Sequence, residues 1–106
     1  MDHALGFIQT NFAKPSLSVD DVVSHGQLPR RSLERAFRAE FGRTILHEIL
    51  RVRTNHAQKL LETTNQSITE IATGSGFTSV NHFYRAFRDR TGLTPRSFRL
   101  SRSTGR

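Results

Sequence analysis

The tetrapeptide RAFR occurs twice in this chain, at residues 35–38 inside PRRSLERAFRAEFG (29–42) and at residues 85–88 inside VNHFYRAFRDRTG (80–92). Chance matching in an arginine-rich sequence would align those four residues and little else, so the flanks decide whether a device is duplicated. The flanks align. At an offset of 50, Leu33 meets Phe83, Phe37 meets Phe87, Phe41 meets Thr91 and Gly42 meets Gly92. Upstream the offset is 49, pairing Val19 with Ile68, Val22 with Ile71 and Val23 with Ala72, because the second turn is one residue longer.

Each unit reads as a short helix, a tight turn and a longer helix closed by glycine. In the first, Ser18 is the N-cap of SVDDVVSHG, with Asp20 and Asp21 in the first turn where the helix dipole favours anions. The break falls at Gly26-Gln27-Leu28, and Pro29 suits the first position of the helix that runs to Gly42. In the second, Ser67 and Glu70 form a capping box for SITEIATG, Gly74-Ser75-Gly76 makes the turn, and the longer helix ends at Gly92. Between the units, TILHEILRVRTNHAQKLLETT starts at Thr44 and carries Ile45, Ile49, Leu50, Val52, Ala57, Leu60 and Leu61 on one continuous stripe, without Gly or Pro. Roughly 20 residues make a rod of about 30 Å. Asp2 caps a first helix holding Leu5, Ile8 and Phe12, which stops before Lys14-Pro15-Ser16, and Thr94-Pro95 starts a last helix through Phe98 and Arg99. The predicted fold is all-α with about seven helices. Residues 1–43 form a first helix-turn-helix subdomain, 44–63 a linker helix, 64–99 a second helix-turn-helix subdomain, and 100–106 a disordered tail.

In each longer helix the apolar and polar stripes separate. Leu33, Ala36, Phe37 and Phe41 face inward in one, and Phe83, Ala86 and Phe87 in the other. The opposite stripes are Arg31, Glu34, Arg35, Arg38 and Asn81, Tyr84, Arg85, Arg88, each spaced i, i+3, i+4, i+7. A major groove admits one α-helix, and Arg or Asn on its outer face matches guanine or adenine edges through paired hydrogen bonds. Grooves on one side of a duplex recur about every 34 Å. A rod of about 30 Å therefore lets one molecule address two adjacent grooves without dimerising.

Composition agrees with a polyanionic partner but does not choose it. The 106 residues suffice for one domain with its own core, and the formal charge of +7 suits nucleic acid, an anionic membrane face or an acidic protein. The basic residues are 14 Arg and 2 Lys, and from Asn81 to Arg106 seven arginines face a single acid, Asp89. There is no cysteine, which excludes disulfides, cysteine zinc sites and thiol nucleophiles and fits a reducing cytoplasm. No run of 18 apolar residues occurs, and MDHALGFIQTNF lacks the basic start and apolar core of a signal peptide. The chain reads as soluble, with no membrane partner.

Ile68, Ile71-Ala72, Gly76-Phe77, Ser79, Phe83, Arg85, Phe87, Gly92, Thr94-Pro95 and Phe98-Arg99 together resemble the DNA-binding domain of the AraC/XylS family of bacterial transcription regulators. The resemblance extends from about Leu5 to Arg99. It implies seven helices with two helix-turn-helix units on a linker helix, and double-stranded DNA as partner, bound at an asymmetric bipartite site. It also implies transcription activation through RNA polymerase, in the bacterial cytoplasm at the nucleoid. SLERAFRAEFG with ILHEILRVR further resembles the branch of xylose-operon activators, in which a sugar-sensing module precedes this domain; no effector module is expected in this chain. Family base contacts fall here on Arg31, Glu34 and Arg35 and on Val80, Asn81 and Arg85. Arg53, Ala57 and Leu60-Leu61 resemble the linker-helix pattern, with Arg53 tying the rod to a subdomain. Gln27 stands where the family often has Gly and Val23 where Ala is commoner, so the first unit is expected to be slightly reshaped.

Several residues carry two readings. Glu34 either accepts from a cytosine amino group or holds Arg30 or Arg38 one turn away, and the second is favoured. Val80 either meets a thymine methyl or covers the turn. Arg30, Arg38, Ser79, His82 and Arg88 are candidates for phosphate, which positions a protein on DNA without specifying sequence. Phe77 reads as a core plug rather than a base-stacking ring. Enzyme signatures are absent. His47-Glu48 lacks the second His of a zinc-protease helix, the five His have no ligand spacing, and Gly74-Ser75-Gly76 has Ser79 where a dinucleotide loop needs its third Gly. No cofactor or metal is expected. Two rivals are a basic helical module that docks an acidic protein and a nonspecific RNA binder, the latter without the aromatic stacking surface that single strands require.

Overall fold

The computed structural model describes residues 2–103. Among the described residues there are seven α-helices and no strand: α1 Asp2–Asn11, α2 Val19–His25, α3 Arg30–Phe41, α4 Ile45–Thr63, α5 Ile68–Gly74, α6 Val80–Thr91 and α7 Pro95–Ser103. The all-α class holds, and α2–α3 and α5–α6 are the two helix-turn-helix pairs.

Local chemistry sets the boundaries. The Ser18 hydroxyl accepts from the Asp21 amide while the Asp21 carboxylate accepts from the Ser18 amide, and Ser67 and Glu70 repeat that box at α5. Thr44 and Ser79 cap α4 and α6 through the amides of His47 and His82. Gly42 and Gly92 end α3 and α6 at φ of 73° and 78°, a left-handed conformation that glycine adopts without a Cβ clash. Their amides donate to the Arg38 and Arg88 carbonyls, so the two copies stop their long helices by the same device.

Three boundaries differ from expectation. Asp2 is itself the first residue of α1, not the cap before it, and α1 stops at Asn11, whose side-chain amide bonds back to the Phe7 carbonyl at 2.8 Å and leaves Phe12 beyond the helix. Pro29 is the residue before α3, at ψ 154°, and Arg30 takes the first helical position. Residues 100–103, expected in a disordered tail, continue α7. In that extra turn the Arg102 guanidinium lies 4.9 Å from the ring centre of Phe98 on the same helix and 3.4 Å from the Glu62 carboxylate of α4. Residues 104–106 of the expected tail lie outside the described residues.

The molecule measures 47 × 24 × 21 Å because it has two cores on one rod. Ile45, Ile49 and Val52 of α4 join Ile8, Val22, Leu33 and Phe37 in the first core. Ala57 and Leu61, further along α4, join Ile71, Phe77, Phe83, Phe87 and Phe98 in the second. The stripe that reads as continuous in sequence is divided between two partners. Phe37 and Phe87, the aromatic residues of the two RAFR copies, are both fully buried and seat α3 and α6. Phe77 is buried too, 5.0 Å from the Phe83 ring, which is the core-plug reading.

Candidate nucleic-acid interface

Packing Leu33 and Phe37 inward turns the opposite side of α3 to solvent. Arg31, Arg35 and Arg38 are exposed and Glu34 is half-buried. On α6, Asn81, Arg85 and Arg88 are exposed and Tyr84 is half-buried, and with Asp89, Gly92 and Thr94 they line an open groove. Ala36, expected to face fully inward, is only half-buried, because the first core closes over Leu33 and Phe37.

The favoured reading of Glu34 fails. Arg30 reaches back across the turn to the Asp20 carboxylate of α2, and no ion pair among the described residues joins Glu34 to Arg30 or Arg38. A partner across the turn, ten residues away, has displaced the one-turn neighbour. Val80 is half-buried, packing on the second core with part of its side chain and leaving the rest at the surface. Ser79 uses its hydroxyl to accept from the His82 amide, and the His82 ring stands edge-on to Phe77 at 5.4 Å. Both remain at the start of α6, where amides and the helix dipole favour an anion.

Other arginines serve the fold, and sequence reasoning singled out only Arg53 among them. The Arg53 side chain, 4% exposed, donates to the carbonyls of Phe12 and Lys14 at 2.8 and 3.0 Å. Burial lowers its pKa from the usual arginine value. Arg99 of α7 donates to the carbonyls of Leu61, Thr64 and Gln66, satisfying the end of α4 and the loop after it. Arg43 and Arg51 both bind the Glu48 carboxylate, which is fully buried. The signal for that cluster is an acid on the inward stripe of α4, between Ile45 and Ile49, with an arginine three residues on. Arg90, in the last turn of α6, has its pKa lowered by burial and by the positive charges of Arg51 and Arg43.

This sorting distinguishes the outward stripes. Arg31, Arg35, Arg38, Arg85 and Arg88 take part in no ion pair among the described residues, and they occupy equivalent faces of two equivalent helices. Unpaired guanidiniums on a helix face carry the donors that base edges and phosphates accept. No helix of the described residues is long and apolar enough to cross a membrane, and no group of three or more His, Asp or Glu there is placed to hold a metal ion.

Residues 24–101 match a family model described as a helix-turn-helix domain. The chain is 34% identical over 105 residues to the HTH-type transcriptional regulator ArgR of Pseudomonas aeruginosa, covering 99% of this chain and 32% of that protein. It is also 34% identical over 85 residues to the xylose operon regulatory protein of Haemophilus influenzae, covering 80% of this chain and 22% of that one. Equal identity to the two does not single out the xylose branch. The chain spans about a third or less of the length of these relatives. The crystal structure of the DNA-binding domain of AdpA, a global transcriptional factor, in complex with a target DNA has a TM-score of 0.91 at 26% identity, covering 97% of this chain and 92% of that one. With the matched region embracing both α3 and α6, the chain belongs to the AraC/XylS family of transcription regulators, as a DNA-binding helix-turn-helix domain.

Proposed function

We propose that α3 and α6 enter adjacent major grooves of one duplex and read an asymmetric bipartite site. Arg31, Glu34 and Arg35 read bases in one half, and Val80, Asn81 and Arg85 in the other. Arg30, Arg38, Ser79, His82 and Arg88 hold the flanking phosphates. The observation that carries this reading is the pair of outward stripes whose guanidiniums have no ion partner among the described residues, while Arg43, Arg51, Arg53 and Arg99 are engaged within the fold. The length of 47 Å accommodates two reading helices about 34 Å apart along the duplex. Domains of this kind act by binding, and the role we assign to that binding is transcription activation through contact with RNA polymerase, in the bacterial cytoplasm at the nucleoid.

Sequence selection with randomised DNA, followed by footprinting, tests the assignment. Two unlike half-motifs one helical turn apart support it; a strict palindrome, or no preference over scrambled DNA, overturns it. Arg35→Ala and Arg85→Ala should each lose about 1–3 kcal/mol of binding at one base position and relax preference there. Equal loss on every sequence would reassign both to phosphate. A basic module for an acidic protein predicts salt-sensitive capture of that protein and no selected DNA motif.

A further inference from the structure

A rod joining two cores does not by itself fix how they face each other: along α4 the buried residues of the first core end at Val52 and those of the second begin one helical turn later at Ala57, while Leu50 packs on the second core from the other side of that turn. That turn is where Arg53 lies. Its Nε donates to the Phe12 carbonyl and its Nη2 to the Lys14 carbonyl, both in the loop after α1 of the first unit. Against the same Phe12 carbonyl rests Gly76, in the turn of the second unit. A Cβ there would stand 2.1 Å from the Phe12 oxygen and 2.7 Å from Arg53 Nε, and the residue has φ of +94°. Gly76 precedes Phe77, which is buried in the second core, and the Phe12 ring packs on His56 of α4 at 5.1 Å. One carbonyl of the first unit is thus enclosed by the rod and by the turn of the second.

We propose that Arg53 and Gly76 are positioning residues that lock the second helix-turn-helix unit against the first, so that the protein dictates the spacing between half-sites. A guanidinium fork on two carbonyls fixes orientation as well as distance, which a single ammonium donor does not. Adding one base pair between half-sites rotates the second by about 35° around the duplex. Two units locked at van der Waals contact cannot follow that rotation. The consequence for DNA rests on the bipartite reading above; the lock itself does not.

The chain has no cysteine, so paired spin labels at Ala39→Cys on α3 and Asp89→Cys on α6, both exposed, report the distance between units, measured without DNA because Asp89 borders the groove on α6. The parent should give one narrow distance distribution. Arg53→Lys, which keeps the charge and loses the fork, should broaden it about twofold with helicity by circular dichroism unchanged, and Gly76→Ala should do the same or more. On selected DNA, a one-base-pair change in spacer should weaken the parent about tenfold or more and Arg53→Lys by about threefold or less. A broad distribution in the parent, an unchanged one in folded Arg53→Lys, or equal affinity loss at every spacing overturns the proposal. A narrow parent distribution that broadens in Arg53→Lys, combined with no bipartite preference, sustains the lock and refutes the DNA reading instead.

Discussion

Replacing Glu48 with glutamine should destabilise the domain and change how its stability responds to acid. The carboxylate is fully buried and accepts from Arg43 and from Arg51 Nε and Nη2 at 2.9 and 2.7 Å. Burial alone pushes a carboxyl up, but hydrogen bonds and positive charge from Arg51 and Arg43 outweigh it and hold Glu48 below the ordinary glutamate value. Glutamine keeps the volume and one acceptor, loses the charge, and points an amide donor at two guanidiniums. Hydrogen bonds to charged groups contribute about 1.5–3 kcal/mol each, and breaking a buried ion pair costs about 3–5 kcal/mol. Here the two arginine side chains are 33% and 30% exposed and can turn to water, so the expected loss is nearer to about 2 kcal/mol, or about 10 °C in melting temperature. Because the folded pKa is depressed, the contribution is complete above the unfolded value of about 4.3 and is lost as pH falls through the folded one. Urea unfolding of both proteins between pH 7 and 3 should therefore show a stability gap that narrows below about pH 4. A glutamine variant as stable as its parent at pH 7, or a gap that widens in acid, would mean that the Glu48 charge does not stabilise the fold through Arg43 and Arg51.

Three other substitutions separate anchoring from reading. Ser67→Ala removes the α5 capping box and should lower stability by about 1 kcal/mol in thermal unfolding, with selected DNA motifs unchanged. Arg99→Ala leaves the carbonyls of Leu61, Thr64 and Gln66 without their shared donor and should cost about 2 kcal/mol in urea unfolding. Arg88→Ala, on an exposed residue, should change stability by less than about 0.5 kcal/mol and weaken all DNA sequences alike, with a salt slope reduced by about one in a binding titration.

What could be read in the sequence was periodic or local. Ser67 with Glu70, the glycines closing α3 and α6, and the Phe37 and Phe87 plugs follow from spacings of three and four residues and from a repeat, and they define helices and faces. What could not be read depends on contacts between distant segments. The shift of Arg30 from Glu34 to Asp20 needs the turn between α2 and α3 to bring them together. The continuation of α7 over residues 100–103 brings Arg102 beside Glu62 on a different helix. Arg99 bonds carbonyls 33 to 38 residues away, and Arg53 bonds carbonyls 39 and 41 residues away, so neither partner has a helical spacing to announce it. Arginine is hard to assign from sequence because its fork serves a carbonyl pair, a carboxylate, a phosphate or a guanine with the same donors.

The two RAFR copies bear on specificity through what they do not share. At their C-terminal ends α3 and α6 are anchored alike, by a buried Phe and a left-handed Gly. At their N-terminal ends, the ends that meet base edges in helix-turn-helix proteins, they are held differently. α6 begins with a Ser79 cap and with Val80 packed on the second core. α3 follows Pro29, which supplies no side-chain cap, and at the place equivalent to Val80 it has Arg30, bound to Asp20 in a pair that is exposed on both sides. An exposed pair contributes at most about 1 kcal/mol and is screened by salt, whereas a half-buried valine is not. The two units therefore share the way the longer helix is anchored and differ at its N-terminal end. Amide hydrogen exchange at the start of α3 should therefore quicken as salt is raised, with the start of α6 unchanged; equal response at both ends would count against this difference.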